Sequence, residues 1–165
     1  MNTRQKGLTL VELMVTLAVA IVLMGIGVPM YQSMVANNRS VAVSNAFSTA
    51  LALARSEAVK RARNVTMCAV VDASASPPVC GSAAQWGNGW TVYFDDGGSA
   101  DEHIRVWDMS DVSPTITASA ASVVFESTGE ASAAVNFDLE QDYALGSQHR
   151  CVTISAAGQI RKAKC

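Results

Sequence analysis

The side chains in this chain whose types can do chemistry fall into four groups. Glu12 is the one charged side chain between Leu8 and Val28. Asp95, Asp96, Asp101, Glu102 and His103 gather around Gly97 and Gly98, a mixture suited to acid–base work or to a calcium ion. Cys68, Cys80, Cys151 and Cys165 offer either disulfides or thiolate ligands. Arg150, Arg161, Lys162 and Lys164 fall within 146–165, a stretch with no acidic side chain, and such a local excess of cations suits phosphate contacts.

Each group also has a plainer structural role. Calcium needs roughly six to eight oxygens in a set order, and the EF-hand register is missing, whereas Asp-Asp-Gly-Gly is ordinary hairpin-turn chemistry. The chain has no GxSxG, P-loop or HExxH motif to place a nucleophile, a phosphate or zinc. No catalytic residue and no cofactor are therefore expected, and the chain does not read as an enzyme. Neither pair of neighbouring cysteines has CxxC spacing, and only His103 and His149 are available to complete a set, so no metal site is expected. The cations Arg55, Lys60, Arg61 and Arg63 read as a solvated face near a helix C-terminus, where positive charge complements the backbone dipole.

These groups must be positioned by elements, and the first is the apolar run from Leu8 to Val28. Its length matches a bilayer core, because about 20 residues rising ~1.5 Å each cover about 30 Å. Arg4 and Lys6 precede it. A secretory signal would carry its small-residue cleavage site after the apolar core, but here Gly7 stands before it. A plain membrane anchor accounts for the run and leaves Glu12 unexplained, since an intramembrane acid is costly without a partner. The segment KGLTLVEL at 6–13 resembles a prepilin signal. That resemblance implies cleavage after Gly7 by a prepilin peptidase, N-methylation of the new terminus at Leu8, and pairing of Glu12 with the terminal amine of a neighbouring subunit. Leu8 stands where that family usually has Phe.

Gly25, Gly27 and Pro29 follow, and together they predict a bend or a locally melted turn; Pro29 matches the pilin proline that marks such a bend. From Met30 to about Arg63 the spacing is helical, with Val43, Phe47, Ala50, Leu51, Ala54 and Ala58 on one stripe. Beyond residue 64 the period turns strand-like. Val65–Val71, Gly89–Phe94, His103–Trp107, Ser122–Phe125, Val135–Leu139 and Cys151–Ser155 are β-rich runs separated by turn residues.

LARSEAVKRARN at 53–64 followed by VTMCAV, WGNGWTVYFDD at 86–96, VVFESTGEA at 123–131 and CVTISAAGQIR at 151–161 resemble, in that order, the GspH/FimT family of minor type IV pilins and pseudopilins. The resemblance implies an α+β pilin fold, a long N-terminal hydrophobic helix packed on antiparallel β-sheet. The expected organisation is a leader at 1–7, a transmembrane or filament-core segment at 8–28, an amphipathic second half of the helix at 29–64, and a β-rich periplasmic domain at 65–165. A single pass through the inner membrane, with the basic leader inside, places that domain on the oxidising side, where an even cysteine count favours disulfides. Four cysteines allow three connectivities; the preferred one joins Cys68 to Cys80 and Cys151 to Cys165.

The formal net charge is −2, and loss of Arg4 and Lys6 with the leader leaves 10 basic against 14 acidic side chains, or −4. That sign argues against general nucleic-acid binding. The expected role is assembly or priming of a type IV pilus near its tip, with other pilins, the prepilin peptidase and the inner membrane as partners. Two alternatives stand beside it: a pseudopilin of a type II secretion system, and a DNA-binding minor pilin for natural transformation. For the last, the resemblance points to a C-terminal GRxR motif, which here reads Gly158, Gln159, Ile160, Arg161, Lys162, so that Arg150, Arg161, Lys162 and Lys164 are the candidate contacts.

Overall fold

The computed structural model describes residues 9–94, 102–112, 114–141 and 148–165. Gly7 and Leu8, and with them Asp95, Asp96, Gly97, Gly98 and Asp101, lie outside the described residues. Helix α1 spans Leu10–Arg61. Among the described residues eight strands follow: β1 Val65–Ala69, β2 Gly89–Phe94, β3 Glu102–Asp108, β4 Thr115–Ala118, β5 Ser122–Phe125, β6 Val135–Gln141, β7 Gln148–Ile154 and β8 Ile160–Lys164. A 3-10 helix at Ala83–Asn88 precedes β2. The chain divides into two compact units, Met1–Val35 and Ala36–Cys165.

Thr9 starts the helix. Its hydroxyl accepts the Glu12 amide at 3.2 Å and its carbonyl accepts the Leu13 amide at 3.2 Å, so it serves as the N-cap. The helix passes through Gly25, Gly27 and Pro29 without interruption. The melted turn anticipated there is therefore not seen: one missing amide and two weak helix formers do not outweigh the apolar residues on either side. At the other end Ala62 adopts φ 53°. The Ala62 amide then bonds to the Val59 carbonyl and the Arg63 amide to the Ala58 carbonyl, the paired bonds of a Schellman stop. Lys60 and Arg61 occupy the last turn, where cations meet the negative end of the helix.

Within the second unit the strands form two antiparallel four-stranded sheets, ordered β3-β2-β1-β5 and β4-β6-β7-β8. Alternation along each strand sends one set of side chains inward. Val65, Met67, Trp90, Val92, Val123 and Phe125 come from the first sheet, and Ile116, Phe137, Leu139, Val152 and Ile154 from the second. The helix contributes Val43, Phe47, Ala50, Leu51, Ala54 and Ala58, all buried. Phe47 is the joint. Its ring lies 4.9 Å from that of Trp90 in the first sheet, 4.7 Å from Phe137 in the second and 5.5 Å from Trp86 in the 3-10 helix.

Ser40, Ser44 and Ser48 are buried along the same helix, next to the apolar stripe. Small side chains let a helix lie close against its neighbours, and the Ser48 hydroxyl recovers part of the cost of burial by donating to the Ser44 carbonyl at 2.7 Å. Two disulfides, Cys68–Cys80 and Cys151–Cys165, join Cα atoms 5.7 and 5.4 Å apart. The first ties β1 to the chain ahead of the 3-10 helix, and the second fastens the chain just beyond β8 to β7.

Candidate functional site

In the first unit the large apolar side chains from Leu10 to Met34 are each more than half exposed. The helix that carries them is long and apolar enough to cross a membrane. Glu12 lies in its first turn, exposed, at the third helical position after the Thr9 cap. The spacing Thr-x-x-Glu is that of a capping box, a signal present in the sequence beside the prepilin resemblance. An acid at that position also faces the positive end of the helix, which lowers the cost of carrying it in an apolar environment. Pro29 is inside the helix and partly buried.

The second candidate region is the face of the second sheet that meets α1. In the pairing of β7 with β8, Arg150 stands opposite Lys164, Val152 opposite Lys162 and Thr153 opposite Arg161. Directly paired residues share a face, so Arg150, Lys162 and Lys164 lie on the side of buried Val152 while Arg161 points to the other side with Cys151 and Thr153. Three of the four candidate cations are brought together and the fourth is not. The guanidinium of Arg150 donates through Nη2 to Asn37 Oδ1 at 3.1 Å, and Lys162 Nζ donates to Asn45 Oδ1 at 3.0 Å. A cavity of about 240 Å³ opens between them, lined by Val41, Ser44, Asn45, Arg150, Lys162, Ala163 and Lys164.

The outer face of this sheet carries the other chemistry. His149 Nδ1 is 3.3 Å from Asp138 and its Nε2 is 3.2 Å from Glu140, a partly buried imidazole between two carboxylates. Asp138, Cys151 and Cys165 also approach one another, but both sulfurs are spent in the disulfide and so are not available as thiolate ligands. Of the acidic group around Gly97, Glu102 and His103 are described. Glu102 accepts from Arg61 Nη1 at 2.9 Å, and His103 Nδ1 bonds with the Thr91 hydroxyl at 3.1 Å, partners that hold strands rather than a reacting atom.

Reading the helical cations as a solvated face near the helix end holds for Lys60 and Arg63, which are exposed, but misses the tertiary bonds of Arg55 and Arg61. Arg55 donates through Nε to the Gly129 carbonyl at 2.8 Å and through Nη2 to the Ala157 carbonyl at 3.3 Å. It thereby clamps two turns from distant parts of the chain onto the helix. Gly129 and Gly158 hold positive φ in those turns, and a Cβ on Gly158 would collide with the Gly129 carbonyl. Arg61 Nε bonds to Glu57 at 2.9 Å, and its guanidinium sits 5.4 Å over the Phe94 ring. The Arg61 hydrogen bond is the main reason the Glu57 carboxyl is held below its ordinary value of 4.5. The basic Arg-Ser-Glu pattern of the sequence was the available signal, but sequence spacing alone does not show carbonyls 74 and 102 residues away.

Residues 43–158 match the family described as Type II transport protein GspH. Residues 2–28 match the prokaryotic N-terminal methylation motif. Two crystal structures of the type IV minor pilin FimU of Pseudomonas aeruginosa are similar to the chain. One is 22% identical with a TM-score of 0.50, covering 79% of this chain and 91% of FimU. The other is 21% identical with a TM-score of 0.51, covering 82% and 90%. At such identities the likeness is one of fold. No curated protein matches the chain.

Proposed function

This chain belongs to the GspH family of minor pilins and pseudopilins, which are structural subunits, and from that premise we propose that it is a minor pilin that helps to prime or complete a type IV pilus near its tip. The observation that carries this reading is the first turn of α1: a capped helix start, one acid at Glu12, and exposed apolar side chains from Leu10 to Met34. A peptidase would cut between Gly7 and Leu8, and the amine of Leu8 would be methylated. The apolar segment would hold the subunit in the inner membrane as a single pass, with the β domain in the periplasm. Glu12 would then pair with the terminal amine of a neighbouring pilin, since a cation and an anion that are each costly in lipid are less costly together. Pro29 would let the helix bend as the subunit enters the filament.

Replacing Gly7 by Ala tests the premise. The variant should accumulate as a longer, unmethylated chain and should be missing from sheared filaments; normal processing removes the prepilin reading. Glu12→Ala should be processed normally yet depleted from filaments.

The description of the matched family favours a second reading, a pseudopilin of a type II secretion system. Deleting the gene separates the two: loss of surface pili with intact secretion supports the first, and the reverse supports the second. The basic face of β7 and β8 supports a third, DNA contact during transformation, through Arg150, Lys162 and Lys164 with Arg161 on the opposite side. If the protein gives no salt-dependent shift of duplex DNA, that third reading is lost.

A further inference from the structure

The groove between α1 and the β7–β8 pair holds a cluster of cations. Among the described residues, no carboxylate lies within ion-pair distance of Arg150, Lys162 or Lys164. Arg150 and Lys164 are moreover direct cross-strand partners, an arrangement of like charges that costs the sheet stability. The chain nevertheless orients the cluster. Asn37 and Asn45, both neutral, hold Arg150 and Lys162 by their amide oxygens, which fixes the cations without neutralising them. Arg150 Nη2 is taken by Asn37, and Nε of the same edge is buried and has no hydrogen-bond partner among the described residues, so Nη1 is the nitrogen left to meet an incoming acid, end-on. The buried Ser44 and the exposed Asn45 complete the wall.

Resting on the assembly reading, we propose that this groove receives an Asp or Glu side chain of a neighbouring pilin subunit, and so selects which subunit sits against this one. The cavity of about 240 Å³ has room for a carboxylate head and several waters, at ~30 Å³ each. A carboxylate suits the site better than a polyanion does. The whole chain carries net charge −2, which repels a long phosphate backbone, whereas a single acid on a protein surface feels mainly the three nearby cations within a Debye length of about 8 Å. Arg161, which would extend a phosphate track, faces the opposite side of β8.

The test uses the full chain in detergent micelles, titrated with an acetylated Glu-Asp-Glu amide peptide, the matching Gln-Asn-Gln peptide, inorganic phosphate and a short DNA duplex. Backbone amide shifts of Ser44, Asn45, Lys162 and Lys164 are the readout. The expected result is movement with the acidic peptide alone, weakened about tenfold in a Lys162→Gln, Lys164→Gln double variant. The melting temperature of that variant should be no lower than the parent's, because it removes repulsion. Absence of any carboxylate-dependent shift overturns the proposal, as does phosphate or duplex occupying the groove in place of the peptide. A marked fall in melting temperature also overturns it, by making the lysines structural. In cells, recovery of the parent chain from sheared filaments with depletion of the double variant supports the proposal. Equal recovery of both overturns it and leaves the assembly reading intact, while absence of the parent chain overturns both.

Discussion

Replacing Arg55 by Met keeps an unbranched apolar stem of similar reach and removes every donor, so it isolates the clamp from the packing of the side chain. Two carbonyls lose a charged donor. The bond to Gly129 is short and partly buried, and is worth about 1.5 kcal/mol, at the low end for a charged hydrogen bond; the longer, exposed bond to Ala157 adds roughly 0.5. The sum is ~2 kcal/mol. The second unit, Ala36–Cys165, has about 130 residues, and at ~2.1 cal/mol/K per residue its unfolding entropy is about 0.27 kcal/mol/K. The melting midpoint should therefore fall by about 7 °C. Circular dichroism at a β-sheet wavelength, on the full chain in micelles, measures it. Arg55→Lys should recover less than half of the loss, since an ammonium cannot reach two carbonyls in the fork geometry of a guanidinium. A midpoint within about 1 °C of the parent's for Arg55→Met, or full recovery with Lys, would refute the clamp.

Ala62 holds a left-handed conformation that costs a non-glycine residue about 1 kcal/mol, so Ala62→Gly should stabilise the protein by roughly that amount in urea titration. Replacing both Cys68 and Cys80 by Ser opens a loop of sequence separation 12 and should cost about 3 kcal/mol in urea titration; reductant should cost the parent more than this, because it opens Cys151–Cys165 as well. Because the Glu57 carboxyl is held below 4.5, chiefly by Arg61, the stability it contributes is fully present above that pH and is lost as the pH falls through its folded value. Glu57→Gln should accordingly flatten the acid limb of a melting-point-versus-pH curve below about 4.5 and leave its slope at neutral pH unchanged.

The helix and most strands were legible because their signals are local. The 3.6-residue stripe from Val43 to Ala58 and the alternation in GWTVYF and CVTI each need only neighbours in sequence. Strand β4 was not, since Thr-Ile-Thr-Ala between Pro114 and Ser119 carries one large apolar side chain, Ile116, and reads as loop until Val135–Gln141 pairs with it. The 3-10 helix at Ala83–Asn88 escaped for a similar reason: it is held by burial of Trp86, whose indole donates to the Ala120 carbonyl at 2.9 Å. The basic residues of the tail were visible as a group, but their division between two faces depends on the register of β7 against β8. That register is decided by which face Val152 and Ile154 bury, a choice that belongs to the whole sheet. Hydroxyls of Ser40, Ser44 and Ser48 read as polar, although a helix packed this closely accepts them for their size.

The seam at Phe47 also makes the protein its own optical probe. Trp86 and Trp90 are fully buried there, on the 3-10 helix and the first sheet, and Trp86 stacks edge-on to Phe137 of the second sheet at 5.2 Å. Trp107, the third indole of the chain, is nearly buried at the neighbouring strand, opposite Trp90. Any event that parts the two sheets must wet these rings together and shift their emission to the red. Intrinsic fluorescence thus follows the docking of the sheets without a label, in micelles, in the free subunit and after incorporation beside partners, provided that the partners' own tryptophans are replaced.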